Sequence, residues 1–359
     1  MNNRVMVAMS GGVDSSAAAV LLQREGYELC GVTLRLYDAN SGTNCGSVAD
    51  VEDARQVCGR LGMRHYVFHY TKEFENEVIR RFADGYASGS TPNPCICCNR
   101  FIKFGRLLEQ AKEMGYGHLA TGHYARVEFD AQRGRWLLKK AKDQSKDQTY
   151  VLYSLSQDAL SHALFPMGEL YKTEGRRLAM TRGLLNADRP DSQDICFVPG
   201  GDYAGYLRRS CAVESSPGDF VDENGKVLGR HKGLIHYTIG QRKGLGLSLS
   251  APLYVLHKDC ARNEVVLGPK ERLYSDQLLA GDCNWISIEK LDGPLRVTAK
   301  TRYSQAEAPA VVECAGEGKV SVRFDAPQRA LTPGQAVVFY DGDVVVGGAT
   351  ILASQPSQE

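Results

Sequence analysis

Two groups of residues in this 359-residue chain have types and spacing suited to chemistry. The first is Ser10-Gly11-Gly12-Val13-Asp14-Ser15-Ser16. Paired glycines let a backbone approach phosphate closely. A helix starting just after them would add unpaired N–H donors and a positive dipole end. Ser10, Ser15 and Ser16 can donate hydroxyl hydrogen bonds. Asp14 would repel phosphate, so its expected role is to hold Mg²⁺. The string lacks GxxxxGK[ST], so it is not a loop of the type that cleaves at the γ-phosphate. The second group is Cys95, Cys97 and Cys98, three thiols within four residues, with Cys196 about a hundred residues on. Thiolates are nucleophiles and metal ligands, and the Cys95-x-x-Cys98 spacing lets two of them reach one metal centre.

These residues need elements to hold them. Arg4–Met9 has the run of a buried strand, and Ala17–Glu25 has a helical pattern stopped by Gly26. Leu29–Tyr37 and Tyr66–Tyr70 are strand-like. Val51 to Leu61, Phe74 to Tyr86 and Phe101–Met114 repeat at helical spacing, and His118–Val127 suggests a further strand. Strands alternating with helices predict an α/β fold with a parallel sheet covered on both faces. Such sheets bind ligands at the carboxyl ends of their strands, which is where the Gly-Gly loop falls. The texture changes near residue 200, at Pro199-Gly200-Gly201, to short strand-like runs broken by Gly and Pro. Val337–Tyr340, Asp341-Gly342 and Val344–Gly347 predict a hairpin, and the last eighty or so residues a small antiparallel barrel or sandwich. The polar tail Ser354–Glu359 is expected to fray.

SGGVDSS resembles the loop of the N-type ATP pyrophosphatases (PP-loop superfamily), which transfer AMP to a substrate oxygen and release pyrophosphate. TPNPxxxCNRxIKFGxLL, ATGHYAR, KDQTYVLYSL, DSQDICFVPGGDY, HKGLIHYTIGQRKGLG, TRYS and PGQAVVFY follow it in order. Together they resemble the tRNA-specific 2-thiouridylases, the MnmA/TrmU family, from residue 4 to about 352. The resemblance implies a PP-loop adenylation and thiolation domain over 1–204, a small central tRNA-binding domain over 205–275 and a C-terminal tRNA-binding β-barrel over 276–359.

It also implies roles. Ala8, Met9, Ser10, Gly11, Gly12, Val13, Asp14 and Ser15 correspond to the ATP loop, with Leu34 and Gly122 as further nucleotide contacts. Asn93, Pro94 and Cys95 correspond to the stretch around the target base. His123, the Lys146-Asp147-Gln148 segment, Arg302, Tyr303 and Gln335 correspond to tRNA contacts. Cys98 takes the place of the nucleophile and Cys196 that of the persulfide carrier. ATP, Mg²⁺, a tRNA with a wobble uridine, and a sulfur-donor protein or sulfide are the implied partners. Without the resemblance, His123 reads equally as a satisfied core histidine, Lys146-Asp147-Gln148 as a solvated loop and Arg302-Tyr303 as an exposed strand face.

The chain departs from the better-known members at Cys95, where they carry Asp. Cys95, Cys98 and Cys196 are therefore also candidate ligands of a 4Fe–4S cluster whose open iron could carry hydrosulfide. The alternative is a persulfide route in which Cys95 is a neutral replacement for Asp. Cys97, adjacent to Cys98, is expected to be dispensable.

Composition narrows the classes. A formal charge of +1 confines any basic surface to local patches. No run approaches the roughly 18 apolar residues of a membrane span, and the short apolar run after Arg4 is not a signal peptide, so the expected compartment is the cytosol. There, eleven cysteines do not imply a disulfide framework. Cys30, Cys45, Cys58, Cys211, Cys260, Cys283 and Cys314 read as small buried or surface residues. Two other functions share some of these features. A PP-loop synthetase acting on a small molecule would show an ammonia-supplying domain or a small-substrate pocket. A non-catalytic RNA-binding iron–sulfur protein would not need an intact SGGVDSS.

Overall fold

The computed structural model describes residues 3–37, 47–184, 186, 195–248 and 251–355. Strand β1 (Arg4–Ala8) is buried at its centre and lies between parallel neighbours β2 (Glu28–Arg35) and, on the other side, the short β4 (His118–Ala120). β3 (Arg64–His69) extends the sheet beyond β2. Helix α1 (Val13–Arg24) starts directly after Gly12, whose extended backbone forms its N-cap. Ala17, Ala18 and Ala19 are fully buried, and such small side chains let α1 lie close to the sheet and to the helix Lys172–Thr181. Helix α2 (Val48–Arg60) starts three residues before the expected Val51, because Ser47 and Asp50 form a reciprocal capping box. Gly26 and Gly62 follow the two helices at φ +84° and +67°, where a Cβ would be strained.

The expected strand His118–Val127 is divided. After β4 the chain leaves the sheet over Thr121–Ala125, then forms a hairpin of β5 (Arg126–Asp130) and β6 (Arg135–Lys139). Packing against the phosphate loop forces the break: a Cβ on Gly122 would lie 2.6 Å from the Ser15 nitrogen. The two-residue β7 (Ala163–Leu164) completes a five-stranded parallel sheet of order β3-β2-β1-β4-β7. The expected Phe74–Tyr86 helix spans 71–87, with a widened π-type turn at Glu75–Ile79. The expected Phe101–Met114 helix begins earlier, at Pro94, and is π-wound over Cys98–Leu107.

Beyond residue 200 lie two antiparallel-rich sheets. β8 (Gly218–Val221), β9 (Val227–His231), β10 (Tyr254–Asp259) and β11 (Glu264–Gly268) surround Phe220, Tyr237, Val255 and Val265. β12 (Tyr274–Trp285), β13 (Leu295–Lys300), β14 (Ala308–Gly316), β15 (Lys319–Arg329), β16 (Ala336–Asp341) and β17 (Val344–Gln355) form a closed barrel, since β12 pairs with both β15 and β17. The β16–β17 hairpin turns at Gly342 with φ +59°. Ser354 and Gln355 pair with Leu278 and Gln277, so the expected fraying does not reach them. Residues 356–359 lie outside the described residues, as does Cys45.

The barrel is not a separate appendage. The β5–β6 hairpin continues its sheet through Val344–Lys139, and Arg126 pairs with Asp343 at 2.7 Å. Tyr150, fully buried, donates its hydroxyl to the Ala336 carbonyl at 2.9 Å. Asn284 donates to the carbonyls of Tyr153 and Leu155 at 2.6 and 3.0 Å. The α/β fold and the C-terminal barrel are both as the sequence leads one to expect. The hairpin that joins them is not visible there, because its strands are half-exposed and carry no clean alternation.

Candidate active site

The phosphate loop occupies the carboxyl end of β1. Its hydroxyls organise the turn: Ser15 Oγ donates to the Gly12 carbonyl at 3.1 Å and accepts from the Ser10 backbone N–H at 3.3 Å. Ser16 Oγ donates to the same carbonyl at 3.0 Å. Gly11 sits at φ +75°, in the left-handed region open to glycine. A cavity of about 300 Å³ opens above the loop, walled by Ala8, Met9, Ser10, Asp14 and Ser15 from one side. Leu34, Thr121, Gly122 and His123 face them. The expected nucleotide contacts Leu34 and Gly122 are thus brought to the loop. Gly11, Gly12 and Val13 shape it without lining the cavity.

Three further residues hold this loop. Lys172 places its Nζ 2.7 Å from each carboxylate oxygen of Asp14, and Tyr124 donates its hydroxyl to Asp14 Oδ1 at 3.1 Å. Asp14 therefore faces a cation already supplied by the chain. Asn186, 4% exposed, donates to the Gly11 carbonyl at 2.8 Å and to Ser16 Oγ at 2.9 Å. All lie far from the loop in sequence; Tyr124 falls within the ATGHYAR string, whereas Lys172 and Asn186 carried no sequence signal.

A second cavity of about 680 Å³ adjoins the first. Cys95, Cys98 and Cys196 all line it, so the fold brings together thiols a hundred residues apart. Asn93 caps the helix by accepting from the Cys95 N–H at 3.1 Å, and Pro94 occupies the first turn. That start sets Cys95 and Cys98 three residues apart on one helix face. Cys196 comes from the opposite wall, with its carbonyl accepting from the Tyr37 hydroxyl at 3.2 Å. The next residue, Phe197, is anchored edge-on between Phe74 and Phe82 at 5.6 and 5.4 Å. Cys97 faces another way, and burial pushes its thiol above the ordinary range. Among the described residues, no three His, Cys, Asp or Glu side chains are gathered closely enough to hold a metal ion. The cavity collects the three candidate ligands without assembling a cluster site.

The residues matched to tRNA contacts divide. Asn93, Pro94, His123, Gln148, Tyr303 and Gln335 line the second cavity. Lys146, Asp147 and Arg302 do not. The Asp147 carboxylate accepts from the Ala141 N–H and the Thr149 hydroxyl, and burial raises its pKa. Arg302 donates to the carbonyls of Ile239 and Ala330 and to Thr332 Oγ1, so its guanidinium ties the turn before β10 to the barrel. Its neighbour Tyr303 is 43% exposed, set edge-on to Tyr150 at 6.2 Å with Lys300 Nζ 5.6 Å from its ring centre. That is a face on which a base can stack. His123 retains some surface toward both cavities, yet its ring is enclosed by Phe104 and Phe165, and its Nδ1 lies 2.6 Å from Thr121 Oγ1. Desolvation there lowers its pKa well below the ordinary value, so the ring is neutral.

Comparison with known proteins places the whole chain. A family model described as the tRNA methyl transferase HUP domain matches residues 3–200. A tRNA methyl transferase PRC-barrel domain matches 206–269, and an aminomethyltransferase beta-barrel domain matches 275–351. The tRNA-specific 2-thiouridylase MnmA 2 of Caldanaerobacter subterraneus subsp. tengcongensis is 51% identical over 356 residues, covering 98% of each chain. The tRNA-specific 2-thiouridylase MnmA of Acetivibrio thermocellus is 51% identical over 354 residues, covering 97% of this chain and 99% of its own. Among solved structures, a 4-thiouridine synthetase–RNA complex with bound ATP aligns with a TM-score of 0.38 at 20% identity, over 55% of this chain and 45% of that one. With identity this high over nearly the full length of its relatives, the chain belongs to the tRNA-specific 2-thiouridylase family.

Proposed function

We propose that this protein uses ATP to replace the O2 of a tRNA wobble uridine with sulfur. The observation that carries the reading is the junction of the two cavities: a phosphate loop opens into one, three thiols line the other, and Leu36, His123 and Gln148 border both. An anticodon base turned out of its stack enters the larger cavity, with Tyr303 as its stacking face. Its O2 attacks the α-phosphorus of ATP. The O2–P bond forms, the bond to pyrophosphate breaks with its electron pair, and the N3 proton is lost to solvent. Backbone N–H groups at the start of α1 stabilise charge on the leaving phosphates. Mg²⁺ supplies further charge neutralisation on the phosphates when bound, and Asp14 is its candidate ligand only if Lys172 swings away.

Sulfur transfer then needs a thiolate-level nucleophile at C2. A persulfide on Cys196 attacks through its terminal sulfur, and the C2–O2 bond breaks with the electron pair leaving on AMP. Cys98 thiolate attacks the Cys196 sulfur, the S–S bond breaks toward the base, and 2-thiouridine is released with a Cys98–Cys196 disulfide. An external thiol reduces that disulfide, and a donor protein or sulfide source reloads Cys196. Substrate tRNA also touches the central sheet and barrel, the segment Lys146-Asp147-Gln148 and Gln335. Incubation of unmodified tRNA with ATP and a sulfur source tests the function. Thiolated wobble uridine is expected, whereas adenylation of free small molecules with no thiolated base would overturn it.

A second reading is favoured by one observation: Cys95 shares the cavity with Cys98 and Cys196. Those three thiolates are the candidate ligands of a 4Fe–4S cluster, which would supply sulfide activation in place of the persulfide. Anaerobic protein with iron and labile sulfide, lost alike in Cys95→Ala, Cys98→Ala and Cys196→Ala, supports it. Full thiolation by iron-free protein or by Cys95→Ala removes it.

A further inference from the structure

Lys103 lies on the π-wound turn that begins at Cys98, and it lines both cavities. Four groups border both spaces: Leu36, Lys103, His123 and Gln148. Lys103 is the one cation among them, because His123 is held neutral. Lys103 is half-buried, and no carboxylate among the described residues pairs with it. The contrast with its surroundings is sharp. Lys172 is spent on Asp14, Lys140 on Glu307 at 2.7 Å, and Arg302 on three oxygens. An ammonium with no carboxylate partner among the described residues, set at the mouth between an ATP cavity and a base cavity, is placed to meet an incoming anion.

The geometry points to Lys103 as a catalytic residue of the adenylation, with its ammonium on the α-phosphate of ATP. The inference rests on the functional reading above and adds a residue to it. In that reading ATP and uridine occupy separate cavities, so the new O2–P bond can form only where the cavities meet. There, negative charge on the non-bridging α-phosphate oxygens rises as O2 attacks and pyrophosphate departs. The same oxygens carry the charge when C2–O2 cleaves and AMP leaves. One fixed cation at that point stabilises both transition states, in a site where the protein has replaced water. It takes part in no covalent step and keeps its proton throughout. The nucleotide's terminal phosphates, by contrast, belong to the loop and the helix N-terminus, which line the other side of the first cavity. Recognition by the loop and chemistry at Lys103 are therefore separable.

The experiment uses the full chain, unmodified tRNA with a wobble uridine, and ATP. Tm and near-ultraviolet circular dichroism first establish that Lys103→Met and Lys103→Arg fold. Single-turnover pyrophosphate release is then measured beside filter binding of tRNA and equilibrium binding of a non-cleavable ATP analogue. Lys103→Met is expected to slow release by about 10²- to 10³-fold, the cost of removing one preorganised donor, with both binding constants within about fivefold. Lys103→Arg, which keeps the charge but not the compact head, is expected to restore at least a tenth of the rate. Release from Lys103→Met within threefold of the parent rate, or a loss wholly in ATP or tRNA binding, would overturn the assignment. Absence of tRNA-dependent pyrophosphate release from the unsubstituted protein is a different result, and it would remove the functional reading rather than this one.

Discussion

The ammonium of Lys172 sits 2.7 Å from both oxygens of Asp14, the carboxylate of the phosphate loop. Asp14 is 31% exposed and Lys172 11%, so water screens the pair only in part. The arrangement ties α1 to the helix Lys172–Thr181. Asp14→Asn and Lys172→Met are each expected to depress pyrophosphate release at least tenfold while sparing tRNA binding. Their effects on stability should couple by about 1–3 kcal/mol, as for contacting charges. Strictly additive losses in a double-mutant cycle would mean that Asp14 acts on something other than Lys172. A sharply raised Mg²⁺ requirement in Asp14→Asn alone would identify that something as the metal.

Cysteine substitutions separate the thiols that share the cavity from the one that does not. Cys98→Ala and Cys196→Ala are expected to abolish thiolation while leaving tRNA-dependent pyrophosphate release measurable. Cys97→Ala should retain most activity, because burial keeps that thiol protonated and it does not line the cavity. Quantifying 2-thiouridine per tRNA under anaerobic conditions decides each case. A dead Cys97→Ala with normal folding contradicts the division of roles.

How much of this was legible in the sequence depended on how local each signal was. The loop Ser10–Ser16 is a contiguous string between a strand and a helix, and it sits where the order of elements places it. Cys95 and Cys98 were legible for the same reason. Lys172 and Asn186 were not: each acts through one side chain brought over by tertiary packing, with no local period to mark it. Arg302 was legible as a family match, but its packing partners were not. The resemblance matched it to a tRNA contact, and its residue type alone read as an exposed strand face, whereas packing sets its Nη2 on the carbonyls of Ile239 and Ala330.

That difference gives a prediction for the C-terminal barrel. Deletion of about 277–359 would strip Ala336, Val338 and Tyr340 from the core shared with Tyr150, so loss of tRNA binding in such a fragment would be confounded with misfolding. Point variants are cleaner. Tyr303→Ala should weaken tRNA binding by about 1–3 kcal/mol, the range for loss of a base-stacking ring, with Tm nearly unchanged. Arg302→Ala should instead lower Tm. Electrophoretic mobility shift and thermal denaturation distinguish them, and equal tRNA affinity in Tyr303→Ala would contradict its role as a stacking face.

Acid should destabilise the fold through its enclosed histidines. His123 is neutral when folded because its pKa is lowered well below 6.5, whereas in the unfolded chain it takes up a proton near 6.5. The unfolded state then binds more protons, so stability is held above about pH 6.5 and is lost as the pH falls below it. The slope for one such group is at most about 1.4 kcal/mol per pH unit. His65, His118, His231 and His236 are shifted in the same direction. Denaturant midpoints between pH 7 and 5 should fall, and less steeply in His123→Asn. An identical slope in that variant would show that His123 is charged in the native state.

The adenylation step can be read in the fate of one oxygen atom. A tRNA carrying ¹⁸O at O2 of the wobble uridine is incubated with the protein, ATP and a sulfur source, and the products are weighed by mass spectrometry. Attack of O2 on the α-phosphorus followed by displacement at C2 delivers the label to AMP, with one labelled AMP for each 2-thiouridine formed. Thiolated tRNA accompanied by unlabelled AMP, or by ADP in its place, would contradict the account.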